Sequence, residues 1–198
     1  MELQKGIKAG KEDFSNLVLL AAPFFCNLFG ENNVRDLMQY LYCQNNNLFS
    51  YSHTCFVEDE SILGMVVGYS YMEKQREQLH TGYLMLKMLK LRFFNILPAL
   101  LRLDSVVSRI TKDEYYIAFL SVYPIMQGRG IASMLMNYIE NEALKQGAYF
   151  MCLDVEAENE RAIRIYLHYG YEIQRTYDIN LMSNITLHFH RMRKQIGK

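Results

Sequence analysis

Missing from this chain is any run of about 18 nearly uncharged apolar residues, the length a membrane-spanning helix needs. Its greasiest stretch, residues 82–103, is interrupted by Lys87, Lys90, Arg92 and Arg102, so no membrane span is expected. Nor does one sign of charge prevail. The chain has 21 Lys and Arg against 21 Asp and Glu, a formal charge of zero. No whole-chain field therefore draws in nucleic acid or an acidic membrane surface. Four cysteines, Cys26, Cys43, Cys55 and Cys152, show no CxxC or other metal-like spacing. Reduced thiols in a cytoplasmic protein are expected. The first residues carry no apolar h-region, so no signal peptide is expected. Repeats, low-complexity tracts and Pro/Gly-rich linkers are absent too. At 198 residues the chain reads as one domain over residues 1–198.

Chemistry-bearing motifs are equally sparse. The five histidines form no HExxH. His188 and His190 lie on one face of an expected strand, where a metal pair or two solvated or sheet-facing imidazoles would both fit; no metal is expected. Ser121 and Ser133 lack a nearby His/Asp pattern, so no nucleophile triad is legible.

What is present is an alternation of patterns. Residues 3–8 suit a short strand. Residues 12–25 and 31–44 have helical spacing, with a break at Asn27 to Gly30. Runs of β-branched and aromatic residues at 52–57 and 62–72 flank Asp59, Glu60 and Ser61 and predict a hairpin. In 74–110, apolar residues such as Leu84, Leu86 and Leu89 alternate with basic ones over one or two helices, and Pro98 is expected to mark their joint. A strand follows at 115–122, then a Gly-rich turn and a helix at 131–146 stopped by Gly147. A strand at 149–155, a short helix at 160–169 closed by Gly170, and strands at 171–181 and 185–192 complete the chain. Strands alternating with helices predict an α/β chain with a mixed sheet that has parallel neighbours in its second half.

The sharpest feature is the turn Gln127-Gly128-Arg129-Gly130-Ile131-Ala132, between a strand and a helix. Two glycines let the backbone bend without a Cβ penalty and approach a ligand closely. The helix behind them offers unpaired N–H groups and the positive end of its dipole, which suits a pyrophosphate, and Arg129 adds charge. No Gly-Lys-Ser/Thr follows, so this is not a Walker A loop, and the GxGxxG spacing of a dinucleotide fold is lacking. Any strand-to-helix turn also favours glycine, so the turn alone leaves a purely structural role open.

Context narrows it. Gln127 through Ala132 resembles the acetyl-CoA signature Q/R-x-x-G-x-G/A of the GNAT superfamily of N-acetyltransferases, with Gly130 at the middle glycine and Ala132 in the final small position. A second block, Asn159, Ala162, Tyr166, Gly170 and Tyr171, is similar to the family's helix beside the pantetheine arm. The resemblance implies a GNAT acyl-CoA N-acyltransferase fold: a mixed sheet splayed between its fourth and fifth strands, with helices on both faces. It implies acetyl-CoA as acyl donor, held by the amides of Gln127–Ala132 and, along the strand, by the backbone at Leu120, Ser121 and Val122, with Asn159 and Tyr166 beside it. It also implies direct attack of a primary amine on the thioester, through a tetrahedral intermediate stabilised by backbone N–H donors. The acceptor, a small molecule or a protein, is unidentified. A non-catalytic CoA-binding module and a transferase for longer acyl groups are the alternatives.

Two side-chain roles follow from the resemblance. Tyr166 matches the family tyrosine that protonates the departing thiolate, although Ala162, Ile165, Tyr166 and Tyr169 also form a packing stripe. Glu114, at the start of the strand before the signature, is the leading candidate base, where an exposed turn charge is the competing reading; Glu156 is the second candidate and Glu73 the third. Family members usually join the third and fourth strands by a tight hairpin. Here residues 74–110 replace it, as an extra helical pair over the sheet, a wall of the acceptor site or a homodimer surface.

Overall fold

The computed structural model describes residues 1–182 and 185–197. Seven strands form one sheet: β1 (Glu2–Lys5), β2 (Thr54–Asp59), β3 (Ser61–Ser70), β4 (Glu114–Val122), β5 (Phe150–Glu156), β6 (Glu172–Met182) and β7 (Ile185–Gln195). Their spatial order is β1-β2-β3-β4-β5-β7-β6. The β4–β5 pair is parallel and the other neighbours are antiparallel. The mixed sheet expected from the alternation is therefore present, parallel at its centre.

Period-two burial divides the side chains between two cores. On one face Val66, Met151, Leu153 and Val155 pack against Leu135 and Ile139 of α6 (Ile131–Lys145). On the other, Met65 and Val67 meet α1 (Lys11–Ala21), α2 (Phe24–Phe29) and α3 (Glu31–Cys43), with Phe14, Leu17 and Leu37 fully buried. Each large apolar side chain sealed in this way contributes about 1.5–3 kcal/mol. α7 (Glu160–His168) follows β5.

Between β3 and β4 stand α4 (Tyr71–Leu89) and α5 (Arg92–Val106), which replace a tight hairpin. α5 touches α2, α4 and β6, so it lies across the second face of the sheet. Three local boundaries differ from the sequence expectations. The helical spacing of 12–25 is split by Pro23, which leads into α2. The strand expected to reach residue 72 stops at Ser70, whose side chain caps α4 through a reciprocal capping box with Glu73. Finally, the joint within the insert falls at Lys90, with φ 54, and not at Pro98, which sits inside α5. Proline frees the carbonyl four residues earlier. Pro98 and Phe94 are both exposed, so that carbonyl turns to solvent and the helix continues. Among the described residues no helix is long and apolar enough to cross a membrane.

Candidate active site

The site begins where β4 and β5 stop pairing. Their register runs from Glu114 opposite Phe150 to Ile117 opposite Leu153 and goes no further. β4 continues to Val122 along β3, and β5 continues to Glu156 along β7. One irregularity sits at the fork. Val67 opposes Phe119 and Gly68 opposes Ile117, so Ala118 is an extra residue that bends β4 away. Two facing strand edges are thus left without each other's hydrogen bonds. Unpaired backbone groups are costly unless something else satisfies them. A slot of this kind in mid-sheet is built to receive a chain-like ligand.

A cavity of about 1080 Å³ runs through the fork. Leu120, Ser121 and Val122 of β4 line it, as do Gln127, Gly128, Gly130, Ile131 and Ala132 of the turn, and Asn159 and Tyr166. Gly128 and Gly130 have φ of 81 and 79. No side chain caps the N-terminus of α6, so its first N–H groups are available to the cavity. A Cβ on either glycine would meet nothing within 4 Å; the backbone conformation alone demands glycine there. Gly130→Val is accordingly expected to cost about 1–2 kcal/mol of folding stability, a left-handed-backbone penalty measurable by urea denaturation.

Several expected residues have more particular roles. Gln127 turns its Nε2 back onto the Val122 carbonyl at 3.2 Å, bracing the turn against β4. Asn159 caps α7 by accepting from the Ala162 N–H at 3.1 Å. Arg129 is exposed and outside the cavity lining. Tyr166 is buried with its ring 5.7 Å from that of Tyr171. Burial pushes its phenol well above the ordinary range, so the hydroxyl keeps its proton at neutral pH.

The three candidate carboxylates separate clearly. Glu114 lies at the paired end of β4, beyond the cavity lining. Its Oε2 accepts from the Thr111 N–H at 2.8 Å and its Oε1 is 3.0 Å from Arg193 Nε. The start of the strand is thus at the zipped end, away from the fork. Glu73 is occupied by the Ser70 cap. Glu156 does line the cavity, at the open end of β5. Burial first, and then the neighbouring Glu158, raise its pKa above the usual carboxylate value.

Sequence reasoning passed over Asp154. Its buried carboxylate accepts from Arg191 Nε at 2.7 Å, Tyr177 Oη at 2.6 Å, Tyr116 Oη at 3.0 Å and the Ser108 N–H at 2.9 Å. Arg191 also donates to the Arg109 carbonyl at 2.7 Å. The network joins β4, β5, β6 and β7 to the segment leaving the insert. Its one legible signal was a lone acid inside an apolar strand. His188 and His190 turn to β6 partners, Asp178 at 2.7 Å and Thr176 at 2.8 Å, not to each other.

Known structures share this architecture. One is a crystal structure of an acetyltransferase, 17% identical, with 99% of this chain and 100% of that one covered at a TM-score of 0.70. An N-acetyltransferase from Staphylococcus aureus Mu50 is 16% identical over 98% and 100% of the two chains, with a TM-score of 0.67. The Salmonella typhimurium protein yncA, solved with its cofactor acetyl-CoA, is 13% identical over 100% and 95%, with a TM-score of 0.56. At such identities the likeness shows the fold. The sequence carries the rest, for a profile of the acetyltransferase (GNAT) family matches residues 18–171. With the forked β4–β5 pair and the glycine turn before α6, this match makes the chain a member of the GNAT acetyltransferase family.

Proposed function

We propose that this protein is an N-acetyltransferase that moves an acetyl group from acetyl-CoA to a primary amine. The observation that carries the reading is the unzipped β4–β5 edge opening into a cavity that starts at the uncapped N-terminus of α6. That geometry fits acetyl-CoA. The amides of residues 128–133 would take the pyrophosphate, and the free edge of β4 through Leu120, Ser121 and Val122 would take the pantetheine arm. Acetyl-CoA supplies an activated acyl group; the protein supplies position and proton transfer.

In the transfer, the amine nitrogen bonds to the thioester carbon and the carbon–sulfur bond breaks. A lysine-like amine has only about one molecule in 2,500 neutral at pH 7, a cost of roughly 4.6 kcal/mol. Glu156, half-buried with a raised pKa, is suited to accept that proton, directly or through one water. The departing thiolate then needs a proton, and Tyr166 is suited to give it. Its phenol is held protonated by burial.

Purified protein, acetyl-CoA and a panel of primary amines should together release free thiol. Tyr166→Phe should slow that release about 10- to 100-fold, toward the low end of acid–base effects because a thiol already leaves readily. Acetyl-CoA affinity should be unchanged. A protein that binds acetyl-CoA yet acetylates no amine would be a binding module, and the proposal would fail.

A further inference from the structure

The cavity does not end at the fork. It continues past β4 and β5 into the space beneath the insert, where Phe25, Phe49, Met85, Leu97, Leu100 and Phe119 line it. α5 roofs this space, touching α2 on one side and β6 on the other. The lining reaches the surface between α4 and α5, at Gly82, the exposed Leu79 and the exposed Leu101. Its charges are unevenly placed. Arg161, Arg164 and His168, the basic residues of the lining, all belong to α7 or its first turn, on the side of the glycine turn. The acids are Asp104, Asp154 and Glu156. Asp104 has Lys74 at 3.2 Å and Asp154 has Arg191. Glu156 has a carboxylate neighbour, Glu158, and none of the ion pairs among the described residues includes it. Along β5, Glu156 shares the face of Asp154, which bonds Ser108 at the exit of the insert. The roofed side therefore offers one unpaired carboxylate at the fork and a largely apolar wall beyond it.

We infer that the acceptor is a small amphipathic monoamine, its ammonium head at Glu156 and an aliphatic or arylalkyl body under the insert. This inference rests on the function proposed above and assigns its substrate class. Among the described residues the cations on that side, Lys74 and Arg191, are already paired to Asp104 and Asp154, so an acceptor carboxylate would find no free one, and an extended polypeptide would have to pass beneath α5. Burying a methylene is worth about a fourfold gain in affinity, so chain length should register strongly. Selection of this kind follows from the wall and from the lack of a free cation together.

The test compares ethylamine with octylamine, which have equal basicity, and with a polyamine and a lysine peptide, on the full-length protein with acetyl-CoA. Octylamine is expected to exceed ethylamine by more than 100-fold in kcat/KM, with spermidine and an Nα-blocked tetrapeptide carrying one lysine no better than ethylamine. Gly82→Phe introduces a ring where an added Cβ meets nothing within 4 Å, so folding is spared. It should lower kcat/KM for octylamine at least tenfold more than for ethylamine, with acetyl-CoA affinity as the check on the fold. Equal rates for octylamine and ethylamine, efficient use of the peptide, or octanoyl-CoA displacing acetyl-CoA as the better donor would each overturn the assignment. If no amine turns over while acetyl-CoA binds, the proposed function fails instead. Calorimetry on CoA-loaded protein then decides the chamber: octylamine binding far tighter than ethylamine upholds it, and equal binding overturns it.

Discussion

Replacing Glu156 by glutamine should lower kcat/KM for a lysine-like amine about 100- to 10,000-fold while leaving the Kd for acetyl-CoA within about twofold. The substitution keeps the size of the side chain and removes its capacity to take a proton. Glu156 ends β5 on the open side of the fork, where in the proposed transfer the amine would shed its proton. The loss should be smaller for an α-amine of pKa near 7.8, which spends only about 1 kcal/mol on neutralisation at pH 7. Direction in pH follows from the raised pKa. Burial and Glu158 extend the range over which the carboxyl stays protonated, so the acid limb of kcat/KM should fall at a higher pH than for an ordinary glutamate. In the glutamine variant that limb should vanish. Stability should move oppositely. A carboxyl whose folded pKa lies above its unfolded one loses folding stability as pH rises through that interval, so the variant should melt slightly higher at neutral pH. A variant retaining wild-type turnover with a lysine-like amine would remove Glu156 from the mechanism.

The largest stability effect is expected at Asp154. Asp154→Ala should cost about 3–5 kcal/mol, because it strands a guanidinium on Arg191, itself only 7% exposed. Tyr116, Tyr177 and the Ser108 N–H would lose an acceptor at the same time. Burial, then the charge of Asp154, keeps the two phenols protonated and able to donate. Two buried ions are themselves expensive to desolvate. The double variant Asp154→Leu with Arg191→Met should therefore recover at least half of the loss in urea denaturation, despite the orphaned hydroxyls. If the double variant proved as unstable as the sum of the singles, the pair would not be acting as a coupled unit. The network also fastens the end of the insert to the sheet through Arg109 and Ser108. Its loss should loosen the roof of the acceptor side before the α6 side of the cavity.

The site was legible to different depths for identifiable reasons. The glycine turn stood out because two positive-φ residues before a helix can hardly be anything but glycine. The place of Tyr166 in the cavity lining was legible through its spacing from Asn159 and Gly170. The carboxylate at the fork was not. Glu114 and Glu156 both flank strands, and their separation into the zipped and the open end depends on where β4–β5 pairing stops. That stop depends in turn on the extra residue Ala118 in the β3 register. The Ser70 and Glu73 capping box was readable three residues apart, yet the β-type run before it extended the strand past its end. Proline was read as a breaker, and an exposed helix face absorbed it.

By itself the sequence determined most of the order of strands and helices, the glycine turn and the length of the insert. All of these are set by interactions within a few residues: periodicity, caps and backbone freedom. Tertiary structure alone decided the fork, the carboxylate that faces it, the Asp154–Arg191 network and the roof that α5 makes over the second face. Those depend on strand register and helix packing between segments far apart in the chain, where shifting by one residue turns every side chain to the opposite face.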